Sequence, residues 1–94
     1  MKILCLILDF SLPGCRSLKE KRRRVRKLKD RFGATPNIAV TESGFHDQPD
    51  RSQWSFVVIG RDLRLIDAEC QKIELYCHSF VEGYVINSLR QQLL

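Results

Sequence analysis

The sequence has no apolar stretch that approaches the roughly 20 residues a helix needs to cross a membrane. The early apolar run from Ile3 to Leu8 is too short for the central region of a secretory signal, and no small-residue cleavage site follows it. Both absences argue against a membrane-spanning or secreted protein. We therefore expect a cytoplasmic protein with no membrane partner, whose 94 residues (1–94) form a single domain.

The cysteines also lack the spacing of a metal site or a redox motif. No two of the four are separated by two residues, and they stand at Cys5, Cys15, Cys70 and Cys77. Three of them fall within apolar patterns, which predicts small core side chains in a reducing compartment rather than a disulfide framework. His46 and Asp47 are adjacent, but no ligand spacing repeats around them. We expect neither a metal nor a cofactor.

Acidic residues are scarce in one stretch. Residues 16–31 contain ten Lys or Arg residues against Glu20 and Asp30, a net charge of +8. The rest of the chain contains six Lys or Arg residues against nine acids, a net charge of −3. A slightly acidic body with one basic element favours a polyanionic partner, because charge spread for solubility alone would not be segregated in this way.

The pattern along the chain predicts six elements in the order β-α-β-β-α-β. Strands are expected at four largely apolar stretches, residues 2–10, 37–43, 54–60 and 84–90. The first helix covers residues 17–32, and the polar stretch 44–53 is a long hairpin loop. Asp62 caps the second helix, whose apolar residues recur every three or four positions: Leu63, Ile66, Cys70, Ile73, Cys77 and Phe80.

This order favours an α+β fold, the ferredoxin-like βαββαβ sandwich, in which a four-stranded antiparallel sheet has two helices on one face. The first and third strands are the most apolar and are expected at the centre. The nearly continuous apolar run of the first strand suggests that both of its faces are covered.

The helix-free face of the sheet would then carry part of the Ile3–Leu8 run. The third strand would add either the set Trp54, Phe56 and Val58 or the pair Val57 and Ile59. Exposed apolar surface of this kind predicts a homodimer or a docked neighbour, and the alternative is a loop that folds over the sheet.

The first helix has a clear start and a clear apolar side. Ser17 and Glu20 form a capping box, in which the Ser17 hydroxyl accepts from the N–H of residue 20 and the carboxylate reaches back to the N–H of residue 17. The apolar side is formed by Leu18, Val25, Leu28 and Phe32. Lys21 does not fit this pattern, and we expect its amine to extend from the core boundary to solvent.

The opposite side of this helix carries most of the positive charge. Only two pairs at i,i+4 spacing offset it, Glu20–Arg24 and Arg26–Asp30, and such pairs contribute about 0.3 kcal/mol each. We predict that this side binds structured RNA, most simply ribosomal RNA, through five residues: Lys19, Arg22, Arg23, Arg26 and Lys27.

Other polyanions fit less well. There is no helix-turn-helix pattern for DNA, and the aromatic stacking strands of the RNA-recognition module that shares this topology are missing. Trp54 and Phe56 are better explained as core residues than as base-stacking platforms. A membrane surface would need the apolar side of the helix, which the core already requires.

Two stretches resemble the YlxP-like family of small bacterial proteins. They are LPGCRSLKEKRRRVRKLKDRF and NIAVTESGFHDQPDRSQWSFVVIGRD, and the resemblance covers about residues 1–82. It implies a ferredoxin-like fold. Because genes of this family often lie near those of translation and ribosome-maturation factors, it also implies a role near the small ribosomal subunit or in its assembly.

The resemblance also extends to individual residues. Lys19, Lys21 and Arg22 match the basic motif of the family, and Asp47 and Arg51 match its hairpin. His46 beside them completes a hairpin candidate. This chain departs from the family at Asp50, where a Gln usually precedes the Arg.

An enzyme is the rival interpretation. Gly14, Arg16 and Ser17 lie in a loop that leads into a helix N-terminus, where backbone N–H groups can hold an anion. Acylphosphatases share this topology and use such a loop with an Arg, but their glycine-to-arginine spacing and the matching Asn are missing here. Cys15 is better explained as an incidental loop cysteine than as a reactive thiol. We therefore predict a non-enzymatic protein without a small-molecule substrate, with a protein-interaction module as the alternative.

Overall fold

A computed structural model describes residues 1–94, apart from the side chain of residue 80. The elements run in the order β1 (Lys2–Ser11), α1 (Leu18–Phe32), β2 (Ile38–Gly44), β3 (Arg51–Gly60), α2 (Leu63–Phe80) and β4 (Tyr84–Gln92). The strands pair antiparallel in the order β2-β3-β1-β4, and both helices pack on one face. The predicted ferredoxin-like sandwich is therefore confirmed, with the two most apolar strands at its centre.

The central strands alternate between the core and the open face of the sheet. In β1 the even-numbered side chains from Leu4 to Phe10 are buried, whereas the odd-numbered Ile3, Cys5 and Ile7 are only partly buried. Successive side chains of β1 point to opposite faces and the helices cover only one of them, so the predicted cover of the second face by a partner stays a prediction. No loop of the described chain covers the other face, where Leu89 is 55 % exposed.

In β3 the core side is taken by Trp54, Phe56 and Val58, while Val57 and Ile59 lie on the helix-free face. The first set packs with α1 and α2 in one cluster. Phe56 meets the ring of Phe32 edge-on, with ring centroids 5.7 Å apart.

The hairpin between β2 and β3 is shorter than predicted. It occupies residues 45–50, because β3 begins at Arg51 and β2 continues to Gly44. The polar residues assigned to a loop belong to strands with one open face, where the Ser43 hydroxyl donates to Gln53 Oε1 at 3.0 Å. Polarity alone does not identify a loop where one face of the sheet is solvated.

Helix α1 is capped almost as predicted. The Ser17 hydroxyl accepts from the Glu20 N–H at 3.1 Å, but the Glu20 carboxylate accepts from the N–H of Arg16 at 3.4 Å and not from that of Ser17. Val25, Leu28 and Phe32 are buried, and Leu18 is only partly buried.

Helix α2 begins at an Asp62 cap, whose carboxylate accepts from the Arg64 N–H at 2.8 Å. Four residues of its predicted apolar stripe are buried, namely Ile66, Cys70, Ile73 and Cys77. Leu63 at the start of the stripe is 38 % exposed, and Phe80 lies outside the described side chains. Within the described residues, neither helix is long and apolar enough to span a bilayer.

Candidate nucleic-acid interface

The five residues predicted to contact RNA all lie on the exposed side of α1. Lys19, Arg22, Arg23, Arg26 and Lys27 are each exposed. The burial of Val25, Leu28 and Phe32 fixes the rotation of the helix and directs the cations away from the sheet. A helix of 15 residues is about 22 Å long, so the cations form an elongated basic surface.

Some of these charges are paired, but only at the surface. Arg23 contacts the Glu82 carboxylate at 3.3 Å, and Arg26 contacts Asp30 at 3.4 Å across one turn. Exposed pairs of this kind contribute about 0–1 kcal/mol, so a polyanion can displace them at little cost. Elsewhere on α1, four cations make no ion pair or hydrogen bond within the described residues: Lys19, Arg22, Lys27 and Lys29.

Arg24 differs from these cations because it anchors the loop before the helix. Its guanidinium donates to the Pro13 carbonyl at 2.9 Å and to the Glu20 carboxylate at 3.1 Å, which confirms the predicted Glu20–Arg24 pair. Its side chain is 14 % exposed. We assign Arg24 a structural role.

Lys21 is buried, and the expectation that it extends to solvent is wrong. Only 2 % of the residue is exposed. Its Nζ donates to the carbonyls of Phe45 (2.9 Å), His46 (3.3 Å) and Arg51 (3.2 Å), and it lies 3.1 Å from the Glu42 carboxylate. The hairpin therefore provides the oxygen partners that water would otherwise supply, and burial of the amine becomes tolerable.

The polar contacts continue from Lys21 into the core. Glu42 Oε2 accepts from the Ser52 hydroxyl at 2.6 Å, and the Trp54 Nε1–H donates to the same hydroxyl at 2.8 Å. We call Lys21, Glu42, Ser52 and Trp54 the Lys21 network. Phe45 beside it has a φ of 59°, which is uncommon for a bulky residue, and its carbonyl is one of those that accept from Lys21.

The Lys21 network was missed by sequence reasoning, although a signal for it is present. Glu42 lies opposite Trp54 in the β2–β3 register, so its carboxylate shares the core side of the sheet with Ile38 and Val40. A lysine on the apolar side of a helix and a carboxylate on the core side of the neighbouring strand together predict a buried ion pair.

A groove lies beside α1 where the helix meets the sheet. Its volume is about 780 Å³. Val25 and Trp54, both buried, contribute to its lining, and Glu42 lines it from β2. Cationic side chains of the helix also line it, among them Lys19, Arg22, Arg26 and Lys29. We call this the α1 groove, and its lining includes four of the five predicted contact residues, all except Lys27.

The predicted anion-binding loop is closed by the protein's own carboxylate. Gly14 has a φ of 75°, which makes the turn into the helix possible. The Glu20 carboxylate accepts from the Arg16 N–H, and the Glu20 N–H donates to the Ser17 hydroxyl. The hydrogen bond from Arg24, followed by the one from the Arg16 N–H, lowers the pKa of Glu20, so this carboxylate holds the position of an incoming anion.

The remaining candidates belong to the framework. Cys15 is buried, and its thiol donates to the Ser17 carbonyl at 3.6 Å, which disfavours a reactive role. The backbone carbonyls of His46 and Arg51 accept hydrogen bonds from Lys21, and Asp47 is exposed. Among the described residues, no three potential metal ligands lie together.

Comparison with solved structures identifies the same architecture in several proteins. A putative antibiotic biosynthesis monooxygenase from Chloroflexus aurantiacus J-10-fl matches with a TM-score of 0.61 and 10 % identity, over 98 % of this chain and 93 % of its own. A dimeric ferredoxin-like protein from an uncultured marine organism matches with a TM-score of 0.54 and 8 % identity, over 100 % and 97 %.

A putative chlorite dismutase, TA0507, matches with a TM-score of 0.58 and 12 % identity over 98 % of this chain, which spans 44 % of that protein. At such identities these similarities show the fold alone. No curated protein matches the sequence.

A family model covers nearly the whole chain. It matches residues 3–90, from the first strand to the last, and so includes the basic helix, the Lys21 network and the hairpin. The chain belongs to the family described as Protein of unknown function (DUF503).

Proposed function

We propose that this protein is a non-enzymatic, cytoplasmic RNA-binding protein that docks on structured RNA through the exposed side of α1. One observation carries the proposal: Lys19, Arg22, Lys27 and Lys29 are exposed without a partner in the described chain, on a helix whose other side is fixed in the core. Clustered unpaired cations attract a polyanion, and each phosphate they neutralise releases counterions.

Fold stability does not account for this arrangement. Adjacent cations repel one another, and Lys19 in the first turn of α1 faces the positive end of the helix dipole. The Lys21 network, Arg24 and the apolar side already hold the helix in place. The unpaired cations add nothing to that attachment, so binding is the better explanation for them.

The shape and surroundings of the helix favour RNA read through its backbone. Phe56 is fully buried and Trp54 is 6 % exposed, so neither offers an open stacking face on the sheet. A membrane surface is a poor match because Val25, Leu28 and Phe32 are committed to the core. What remains exposed is a rigid basic rod suited to phosphate groups.

Ribosomal RNA is the RNA that we propose. The resemblance to YlxP-like proteins supports a setting at the small ribosomal subunit or in its assembly. The residues that match the basic motif of that family divide between two roles here, because Lys19 and Arg22 are exposed whereas Lys21 is buried.

The test is co-sedimentation with small ribosomal subunits across a salt series. We expect the wild type to bind, and the triple variant Arg22→Glu/Arg23→Glu/Arg26→Glu to lose binding while it retains its circular dichroism spectrum. Each lost phosphate contact should lower the slope of log affinity against log salt by about 0.7–0.9.

A matched control reverses three exposed cations that lie away from α1: Arg61→Glu/Arg64→Glu/Lys72→Glu. This variant has the same net charge as the first and should still bind. Equal loss of binding in both triple variants would mean that overall charge, and not the surface of α1, drives association. No binding by the wild type at low salt would refute the proposed function.

The helix-free face of the sheet supports a second function, self-association. Partly or fully exposed apolar side chains from three strands meet there: Ile3, Cys5, Ile7, Val57, Ile59 and Leu89. A dimeric protein with this fold is known. In sedimentation velocity, Leu89→Lys should yield monomers, whereas Leu75→Lys on exposed α2 should not. A wild type that is monomeric at micromolar concentration would contradict this second function.

A further inference from the structure

We propose that the α1 groove receives one unpaired nucleotide of the bound RNA, so that the preferred partner is a duplex with an extruded base and not an uninterrupted helix. This inference rests on the proposed RNA-binding function. It assigns to the groove a role that differs from phosphate contact along the crest of α1.

The size of the groove is the first argument. At about 780 Å³, it lies within the roughly 300–1,000 Å³ typical of sites that enclose small molecules. A convex helix that contacted only backbone phosphates would need no such cavity beside it. The groove is deep enough for Val25 and Trp54 of the core to contribute to its lining.

The distribution of charge is the second argument. Lys19, Arg22, Arg26 and Lys29 line the groove and recur every three or four residues. Lys19 and Lys29 are about 15 Å apart along the helix axis, at 1.5 Å per residue. Each strand of a duplex carries one negative charge per roughly 3.4 Å, so this row spans several phosphates. A polynucleotide strand matches that row better than a free nucleotide does.

The chemistry of the groove lining is the third argument. The lining is mostly apolar, because the aliphatic stems of its cationic side chains join the small exposed edges of Val25 and Trp54, and a base ring can pack against these stems. The Arg22 guanidinium has no partner in the described chain, so it is free to stack on the same base. Sites that bind an unpaired nucleotide combine cations that contact its phosphate with a surface on which its base ring packs, and the groove has both.

Glu42 adds a preference among bases. Its Oε2 is occupied by Lys21 and Ser52, whereas its Oε1 makes no hydrogen bond within the described chain. Glu42 also lines the groove. A carboxylate oxygen accepts from an exocyclic amine, best exemplified by N4 of cytosine. The ion pair with Lys21 offsets the charge that would otherwise repel the RNA. The geometry favours an unpaired cytosine over an unpaired uracil.

The experiment measures fluorescence anisotropy at low salt with three hairpin RNAs. One is fully paired, one has a single bulged cytosine, and one has a bulged uracil at the same position. We expect the hairpin with the cytosine bulge to bind about tenfold more tightly than the paired hairpin, because one stacked base typically adds about that much affinity. The uracil bulge should bind several-fold more weakly than the cytosine bulge.

Two variants of equal charge separate the groove from the rest of the helix. Arg22 and Lys27 are both exposed and unpaired within the described chain, but only Arg22 lines the groove. Arg22→Ala should abolish most of the preference for the bulge, and Lys27→Ala should weaken all three hairpins alike. Circular dichroism checks that both variants are folded.

The outcomes are distinct. If the wild type binds the paired and bulged hairpins equally, the groove is not a nucleotide site, although RNA binding stands. If the two alanine variants change the preference for bulged over paired RNA equally, the groove is likewise not a nucleotide site. Equal binding of the cytosine and uracil bulges removes the role of Glu42. If no hairpin binds at low salt, the proposed function itself fails together with this inference.

Discussion

Replacing Lys21 by Met should destabilise the protein far more than any other lysine substitution on α1. Met keeps the length and apolar stem of the side chain and removes only the amine. The substitution leaves three carbonyl oxygens, those of Phe45, His46 and Arg51, without their donor. It also leaves the Glu42 carboxylate without its cation in a site where only 24 % of that side chain is exposed.

The magnitude follows from these contacts. Removing one partner of a buried ion pair typically costs about 3–5 kcal/mol, because the remaining charge stays desolvated. Small domains are stable by about 5–15 kcal/mol, so the substitution should remove a large share of the total. Lys19→Met is the matched control, because Lys19 is exposed and unpaired. Its effect should stay within about 0.5 kcal/mol.

Urea unfolding followed by tryptophan fluorescence measures both variants. Trp54 is the only tryptophan of the chain, and its indole belongs to the Lys21 network. The double variant Lys21→Met/Glu42→Gln should be more stable than the sum of the single effects by about 1–3 kcal/mol, since no unpaired charge remains. If Lys21→Met unfolds within about 1 kcal/mol of Lys19→Met, the buried amine does not anchor the hairpin and the reasoning is wrong.

Two further predictions concern the core. Burial raises the pKa of Cys77 from 9.0 to about 12, so above pH 9 the unfolded chain loses a thiol proton that the folded chain retains. Stability should therefore fall as pH rises from 9 towards 12. In urea unfolding, the free energy of unfolding of the wild type should fall between pH 8 and pH 10 by about 1 kcal/mol more than that of Cys77→Ala. Equal losses would contradict this assignment. Gly83→Ala places a Cβ 2.5 Å from the Ser11 carbonyl oxygen and 2.7 Å from Leu12. The same assay should show a loss of about 1–3 kcal/mol, and an unchanged midpoint would show that the β4 turn can shift.

The fold was predictable because its signals are local. The apolar spacing of each helix and the apolar runs of β1 and β3 fixed the element order, and few topologies accommodate that order in 94 residues. The core side of β3 was not predictable, since Trp54 and Val57 are both apolar and alternation alone gives two answers. The packing of the helices decides it, because Trp54, Phe56 and Val58 lie in one buried cluster with residues of both helices.

The exposed cations of α1 were also predictable, whereas only the Lys21–Glu42 ion pair of the Lys21 network leaves a signal in the sequence and its hairpin contacts leave none. Val25, Leu28 and Phe32 set the phase of the helix, and the outward positions follow from 3.6 residues per turn. The environment of Lys21 instead depends on a hairpin 24 residues away along the chain. One of the carbonyls that accept from Lys21 belongs to Phe45, which adopts a left-handed conformation that its residue type does not suggest.

One helix thus uses lysine and arginine in two opposite ways, and the two uses depend on each other. Lys21 faces inward and joins α1 to the hairpin, while Lys19 and Arg22 beside it face solvent. Glu42 belongs both to the Lys21 network and to the wall of the α1 groove. The inward contact therefore holds the helix that carries the cationic rim in a fixed position relative to the groove wall. Under the proposed function, a fixed helix would lose less conformational freedom on RNA binding than a mobile one, so the buried lysine would favour that binding.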